Sequence, residues 1–199
     1  THFHSFAAQP PPFPSYKIQE VASGLNFPWS LAFLPDGGLL VTERTGQLIK
    51  ITDSDVSKLV TGLPTDIYVE GQGGLLEVVL HPDFSINRWL YFSYAVGDDD
   101  KNALQVVRAK LIDNKLTEKK IVFTVTPFKS TPVHFAGRMA FLPDNTLLIT
   151  SGDGFDYRED AQRLNSLLGK TIRINDDGSV PINNPFVTEI PDSPSNYVF

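Results

Sequence analysis

Three side chains in this sequence have types and positions that suit chemistry on a hydroxylated molecule. Trp29, Gln72 and His134 each stand shortly before an apolar segment with the pattern of a β-hairpin. A neutral imidazole is a competent general base near pH 7. An amide can donate and accept hydrogen bonds, and an indole offers a flat apolar surface. Brought together by the fold, these residues would bind a polyhydroxylated substrate and remove a proton from it.

Each of these residues also has a structural interpretation. Trp29 can cap a hydrophobic core, and Gln72 is flanked by glycines that suit a tight turn. His134 can be a hydrogen-bonded loop histidine. Arg138 is a further candidate for ligand contact. Its structural interpretations are pairing with a carboxylate or a hydrogen-bond network that stabilises the fold, and we favour the network. His81 lies in a predicted hairpin turn, and we interpret it as structural.

Two other groups contain residue types that bind metals. Four acidic residues follow the third hairpin: Asp153, Asp156, Glu159 and Asp160. They lack the spacing and turn glycine of an EF-hand, so a solvated loop is favoured over a cation site. His2 and His4 form an H-x-H pair near the start of the sequence. This pair lacks the third ligand that a zinc site uses, so a metal site there is disfavoured.

The elements that must position these residues repeat along the chain. Ala32 to Thr42 reads AFLPDGGLLVT, and Ala140 to Thr150 reads AFLPDNTLLIT. A weaker copy, VVLHPDFSINRWLYFSY, runs from Val78 to Tyr94. A Pro-Asp turn between two short apolar runs predicts a β-hairpin. Short alternating segments such as GQLIKI and GKTIRI follow, at a period close to that of propeller blades, about 40 to 50 residues.

The sequence therefore predicts an all-β fold. Residues 16–199 are predicted to form part of a β-propeller, with about three blades near 28–62, 72–128 and 134–186. A sandwich or barrel is the alternative, but its strands do not normally recur as a sequence unit. The apolar spacing in Arg158 to Leu168 predicts one short helix, and residues 1–15 predict a flexible Pro-rich tail. The first strand of each propeller blade lines the axis, which would bring Trp29, Gln72 and His134 to one mouth.

Composition excludes several classes of function. The 199 residues carry 17 Lys and Arg against 23 Asp and Glu, a net charge of −6. Such a chain has no general attraction for phosphate backbones or anionic lipids, which argues against nucleic-acid partners. No apolar run approaches the ~20 residues of a membrane-spanning helix. The sequence has no cysteine, which excludes disulfides, thiolate catalysis and Cys-ligated metals.

Four segments carry a resemblance to a known family. They are PWSLAFLPDGGLLVTERTGQLIKI from Pro28, EGQGGLLEVVLHPDF from Glu70, VHFAGRMAFLPDNTLLITSGD from Val133 and LGKTIRINDDGSVPINNPF from Leu168. Together they cover most of residues 18–186 in the family's order. The chain resembles the N-terminal half of the soluble aldose sugar dehydrogenases that depend on pyrroloquinoline quinone (PQQ). This group is also called the glucose/sorbosone dehydrogenase family.

The resemblance implies a six-bladed propeller with PQQ over the axial mouth, supported by calcium. His134, in the family's H-x-x-G-R segment, would be the general base that takes the anomeric hydroxyl proton. Hydride would pass to the C5 carbonyl of PQQ, and the product would be a lactone. Gln72 matches the glutamine that helps to hold sugar and cofactor, and Trp29 is a further candidate for such contacts. Val133 stands where the glucose-specialised branch has an aspartate, which implies a broader aldose range.

The resemblance also implies parts and partners outside this sequence. Family members are roughly twice as long, so we expect the remaining blades and the calcium ligands beyond Phe199, and no metal ligands within this chain. We expect an external electron acceptor, a periplasmic or secreted location, and pairing with the missing C-terminal half or a second copy. The fragment alone is expected to be inactive. Two rival functions are a non-enzymatic propeller that binds a ligand or protein, and a lyase or lactonase in which His134 acts with calcium.

Overall fold

The computed structural model of the chain describes residues 16–52 and 57–199. The predicted Pro-rich tail, with His2 and His4, lies outside these residues. Within them, eleven β-strands form three antiparallel sheets. The prediction of an all-β fold built from propeller-type sheets is confirmed.

Sheet 1 is a four-stranded meander in which neighbouring strands follow one another in the chain. Its strands are β1 (Pro28–Phe33), β2 (Leu39–Glu43), β3 (Gln47–Ile51) and β4 (Ser57–Val60). Sheet 2 repeats this order, and its second, third and fourth strands are longer than those of sheet 1. They are β5 (Leu75–Leu80), β6 (Trp89–Gly97), β7 (Asn102–Ile112) and β8 (Lys115–Thr124). A one-turn α-helix, α1 (Phe84–Asn87), stands in the hairpin between β5 and β6.

Sheet 3 has three strands in the order β11-β10-β9. They are β9 (Ala136–Phe141), β10 (Leu147–Ser151) and β11 (Thr171–Ile174). Val198 forms an isolated antiparallel bridge with Ile172, and the N–H of Phe199 donates to the carbonyl of Thr171 at 2.9 Å. The last two residues therefore begin a fourth strand position at the outer edge of sheet 3.

Asp36 and Asp144 shape the turns of the two repeated hairpins in the same way. In each case Oδ1 accepts the main-chain N–H two residues further on, at 3.1 Å. The residue that follows the aspartate, Gly37 or Asn145, has a positive φ of 88° or 63°. Glycine and asparagine adopt this left-handed conformation at least cost. The shared Pro-Asp sequence thus specifies one turn geometry in both hairpins.

Two hydrophobic cores join the sheets, one on each side of sheet 2. Tyr91 and Phe92 are neighbours on β6, and both are fully buried. Successive side chains of a strand point to opposite faces, so Phe92 packs into the core with sheet 1 and Tyr91 into the core with sheet 3. The first strands of the three sheets pack side by side, β1 against β5 and β5 against β9. This is the radial packing of propeller blades around an axis.

The helix predicted over residues 158–168 is shorter than the apolar spacing suggested. A 3₁₀ helix covers Arg158–Gln162, and the chain then turns extended at Arg163. Two side-chain contacts stabilise the turn that replaces the second half. Ser166 Oγ donates to Oδ2 of Asp160 at 3.1 Å and accepts the N–H of Leu168 at 3.2 Å. A second 3₁₀ helix, Pro194–Tyr197, stands near the end of the chain.

Candidate active site

Gln72 and His134 meet at the mouth where β5 and β9 begin. Gln72 lies in the glycine-rich turn before β5, and His134 lies two residues before β9. Oε1 of Gln72 accepts the main-chain N–H of His134 at 2.8 Å. The main-chain N–H of Gln72 donates to the carbonyl of Pro132, also at 2.8 Å. Gln72, in the turn that leads into sheet 2, therefore holds the segment that carries the imidazole at two points.

The imidazole of His134 pairs with Asp153, a carboxylate predicted from the sequence to lie in a solvated loop. Nδ1 of His134 lies 2.8 Å from Oδ1 of Asp153. A carboxylate can only accept, so Nδ1 carries the proton and Nε2 of the neutral ring carries the lone pair. Two hydrogen bonds hold the pKa of Asp153 below its usual range: the one from His134 has the larger effect, and the one from the N–H of Phe155 the smaller. The pair is thus an ionised aspartate that orients a histidine whose free nitrogen can accept a proton.

The register of the β9–β10 hairpin explains why His134 and Asp153 meet. Ala136, the first residue of β9, pairs with Ser151, the last residue of β10. His134 lies two residues before this pair and Asp153 two residues after it, so both leave the hairpin at the same end. Asp153 is visible in the sequence as the last residue of the S-G-D that closes the repeated segment. Its pairing with His134 could be predicted only from the register of β9 and β10, which is not evident from the sequence.

The backbone around His134 is in a conformation that needs support from its neighbours. His134 and Ala136 both have positive φ, 50° and 58°. Such values cost about 1–3 kcal/mol each for residues other than glycine. Gly152 lies directly against the turn, since a Cβ there would overlap the carbonyl of His134. Its N–H donates to the carbonyl of Phe135 at 3.1 Å. Close packing by a glycine therefore helps to keep the turn in this shape.

Trp29 and Arg138 form a second group, along the innermost strands. The guanidinium of Arg138 stacks over the indole of Trp29, with Cζ 4.1 Å from the ring centroid. Its Nη1 lies 2.8 Å from Oε2 of Glu77, a buried carboxylate on β5. Ser30 Oγ donates to the other oxygen of Glu77. These contacts join β1, β5 and β9, and they give Arg138 a role in holding three blades together.

Two open clefts adjoin at Ala136 and lead to these groups. The first has a volume of about 430 Å³ and is lined by Trp29, Gln72 and Phe135, among others. The second has a volume of about 630 Å³ and contains His134 and Asp153. The side chain of His134 is 42% exposed. Nε2 of Gln72 has no hydrogen-bond partner among the described residues, so this donor remains available to a ligand.

His81 lies in the hairpin turn at the other end of β5 and is buried. Its Nδ1 accepts the N–H of Asp83 at 3.0 Å and contacts Nδ2 of Asn87 at 2.9 Å. Its ring packs edge-on against Phe141, with centroids 5.3 Å apart. These contacts stabilise the turn that carries α1, remote from the Gln72–His134 mouth.

Residues 16–52 and 57–199 show neither a metal-binding cluster nor a membrane-spanning helix. These residues contain no cluster of three or more His, Asp or Glu side chains that could hold a metal ion. None of their helices is both long and apolar enough to cross a membrane.

Comparison with known proteins identifies the family to which this chain belongs. The family model described as Glucose / Sorbosone dehydrogenase matches residues 25–197. The chain belongs to this family. It is 41% identical over 177 residues to aldose sugar dehydrogenase YliI of Escherichia coli, covering 86% of this chain and 47% of that protein. It is 30% identical over 192 residues to quinoprotein glucose dehydrogenase B of Acinetobacter calcoaceticus, covering 83% and 40%.

The structure agrees with the sequence relationship. The PQQ-bound form of an aldose sugar dehydrogenase from Streptomyces coelicolor is similar to this chain, with a TM-score of 0.76 and 30% identity. The similarity covers 89% of this chain and 52% of that one. The chain thus spans about half the length of the relatives it matches.

Proposed function

We propose that this chain forms the part of a PQQ-dependent aldose dehydrogenase that carries the general base. The observation that carries the proposal is the His134–Asp153 pair, whose geometry leaves Nε2 of His134 free to accept a proton. Membership of the Glucose / Sorbosone dehydrogenase family supports a sugar as the substrate. The quinoprotein relative and the PQQ-bound structural neighbour support PQQ as the cofactor.

The donor set at the mouth fits one side of a PQQ–sugar site. PQQ is a flat heterocycle with polar edges, and the cleft of about 430 Å³ places an indole and an amide donor along its walls. Trp29 and Gln72 are the residues of this chain that would contact cofactor or sugar there. When bound, PQQ supplies the acceptor for the hydride that leaves the sugar carbon. The described residues contain no cluster of three or more His, Asp or Glu side chains that could hold a metal ion, and we assign no step to calcium here.

The residues of this chain would act on the sugar hydroxyl. Nε2 of His134 accepts the proton of the anomeric hydroxyl, and Asp153 stabilises the imidazolium that results. Nε2 of Gln72 donates to an oxygen of the sugar and fixes the direction of the hydroxyl. The anomeric oxygen loses this proton and the anomeric carbon loses the hydride. The C–O bond between them becomes a carbonyl, and the product of a ring sugar is a lactone. The two electrons leave with the hydride.

The finer assignments are part of the same proposal. Val133, an apolar residue directly before His134, offers no charged contact to the sugar and suits a broad aldose range. The full reaction also requires an external electron acceptor and the remaining blades, supplied by a C-terminal half or by a second copy. We propose a periplasmic or secreted location, where aldose sugars and such acceptors meet.

Reconstitution tests this function directly. The intact protein that carries this chain is assayed for dye reduction with several aldoses, with and without PQQ. The proposal expects reduction that requires both sugar and PQQ, with a lactone as product. PQQ binding without turnover would favour the non-enzymatic binding module. Sugar or lactone conversion without dye reduction would favour a lyase or lactonase that uses His134 as base.

A further inference from the structure

We propose that Lys129 is a positioning residue of this site, because its buried ammonium group holds the turn that presents His134. The positioning itself is inferred from the contacts of this chain. Its consequence for turnover rests on the function proposed above, so the two are tested by separate measurements.

Lys129 is 3% exposed and lies beneath the turn that carries His134. Its Nζ donates to Oδ1 of Asn102 at 2.8 Å and to the carbonyl of Thr131. Nζ also lies 3.5 Å from the ring centroid of Phe135, the residue after His134. A cation at this distance over an aromatic face is attracted by it, and the attraction is strongest when water is excluded. One ammonium group therefore contacts a strand, the turn and the ring beside the imidazole.

Main-chain contacts fix the two ends of this arrangement. Lys129 and Asn102 exchange two hydrogen bonds, N–H to carbonyl, at 2.9 and 2.8 Å. This pairing anchors the segment on β7 of sheet 2. Thr131 Oγ1 donates to the carbonyl of Gly154 at 2.6 Å, next to Asp153. Lys129 thus stands at the point where sheet 2, the His134 turn and the Asp153 loop are tied together.

The choice of a lysine at this position is costly for stability alone. Within the described residues no carboxylate pairs with its ammonium group, and burial lowers the pKa of Lys129 from 10.5 to about 8. An apolar side chain of similar length would fill the same volume without this cost. It could not hold the carbonyl of Thr131 or the amide of Asn102. The positive φ values of His134 and Ala136 require such support, since strained turns persist only where their surroundings fix them.

The test compares Lys129→Met with a matched control in the intact protein. Arg173→Met is the control, because Arg173 is also a buried cation but pairs with Asp144 at the other end of the β9–β10 hairpin. The first readout is the ¹⁵N spectrum of the imidazoles, which is simple because the chain has 4 histidines. The second is the pKa of Asp153 from the ¹³C shift of its carboxyl group. Neither readout requires PQQ or turnover.

In the wild type we expect His134 protonated at Nδ1 and a depressed pKa for Asp153. In Lys129→Met we expect a mixture of imidazole tautomers and a pKa of Asp153 nearer its ordinary 3.8. We expect kcat to fall about 10- to 100-fold with little change in KM, because misplacement of the base affects the reacting geometry. Lys129→Arg keeps the charge and should restore part of each readout. Lys129→Leu also lacks a donor, carries the same expectation as Lys129→Met and replaces it where that variant does not fold.

Two results would overturn the inference. One is a wild-type imidazole spectrum and a wild-type pKa of Asp153 in folded Lys129→Met. The other is an equal change of both readouts in Arg173→Met, which would show a general loss of stability. A wild-type protein that oxidises no sugar with PQQ would overturn the proposed function instead, and the two spectroscopic readouts would still decide the role of Lys129.

Discussion

The side chain of Gln72 holds the main chain of His134: Oε1 of the amide accepts the N–H of His134 at 2.8 Å. This contact uses the acceptor end of the amide. A role for Gln72 in substrate binding therefore falls to its Nε2 donor. The glutamine thus joins two tasks, the support of a strained histidine and the orientation of a sugar hydroxyl.

Substitution of Gln72 should separate these two tasks. Gln72→Ala removes both and should raise KM and lower kcat, since the lost contacts act in substrate binding and in the transition state. Gln72→Glu keeps an oxygen for the N–H of His134 but loses the donor. We expect it to raise KM with a smaller loss of kcat. Steady-state kinetics of the reconstituted protein provide the measurement. An equal kcat for the two variants would contradict the assignment of separate roles to the oxygen and the nitrogen of the Gln72 amide.

Asp153→Asn should lower kcat by about 10²-fold with little change in KM, because the amide removes the charge that stabilises the imidazolium and can also present a donor to Nδ1. Asp156→Asn is the matched control, since it removes the same charge from an exposed position in the same loop. The pH dependence of kcat should shift in Asp153→Asn alone. Equal kinetics for the two variants would show that the contact with His134 has no catalytic consequence.

The free energy of unfolding should depend on pH between about 8 and 10.5 because of Lys129. Its pKa is about 8 when folded and 10.5 in the ordinary state. Between these values the unfolded chain binds a proton that the folded chain does not, so this group raises the free energy of unfolding as the pH rises. Denaturant unfolding of wild type and Lys129→Met from about pH 7 to 10.5 gives the difference between them. We expect this difference to move in favour of the wild type as the pH rises, whereas a constant difference would contradict the expectation.

Arg138→Met should lower the free energy of unfolding by about 1–3 kcal/mol, because it leaves the buried carboxylate of Glu77 without its charged partner. Arg163→Met is the control. Arg163 forms an exposed ion pair with Asp160, and such pairs contribute roughly 0–1 kcal/mol. Urea denaturation of both variants provides the comparison. Similar losses in the two variants would mean that the contact between the innermost strands contributes no more than a surface pair.

The sequence predicts the fold well because the determinants of each hairpin are local. The Asp36 and Asp144 turns need only an aspartate and a following residue that accepts a positive φ. The repeat of this unit then predicts blades, since sheets of this kind bury their faces only against one another. The helix over residues 158–168 is an exception, because Ser166 bonds to Asp160 and replaces a helical turn with a contact that apolar spacing cannot reveal.

The site is less predictable because its contacts are distant in sequence. Gln72 and His134 are suggested by residue type and by the repeat, but the bond between the amide and the main chain depends on the packing of sheet 2 against sheet 3. Asp153 requires the register of β9 and β10, and Lys129 requires the burial of a residue type that is usually exposed. These residues act through neighbours rather than through a motif.

The most direct test of the central claim is the turnover of His134→Ala in the intact, PQQ-reconstituted protein with an aldose. If Nε2 of His134 is the general base, turnover should fall by ~10²- to 10⁴-fold while PQQ affinity stays nearly unchanged. Turnover near that of the wild type in this variant would contradict the account and remove His134 from the reaction.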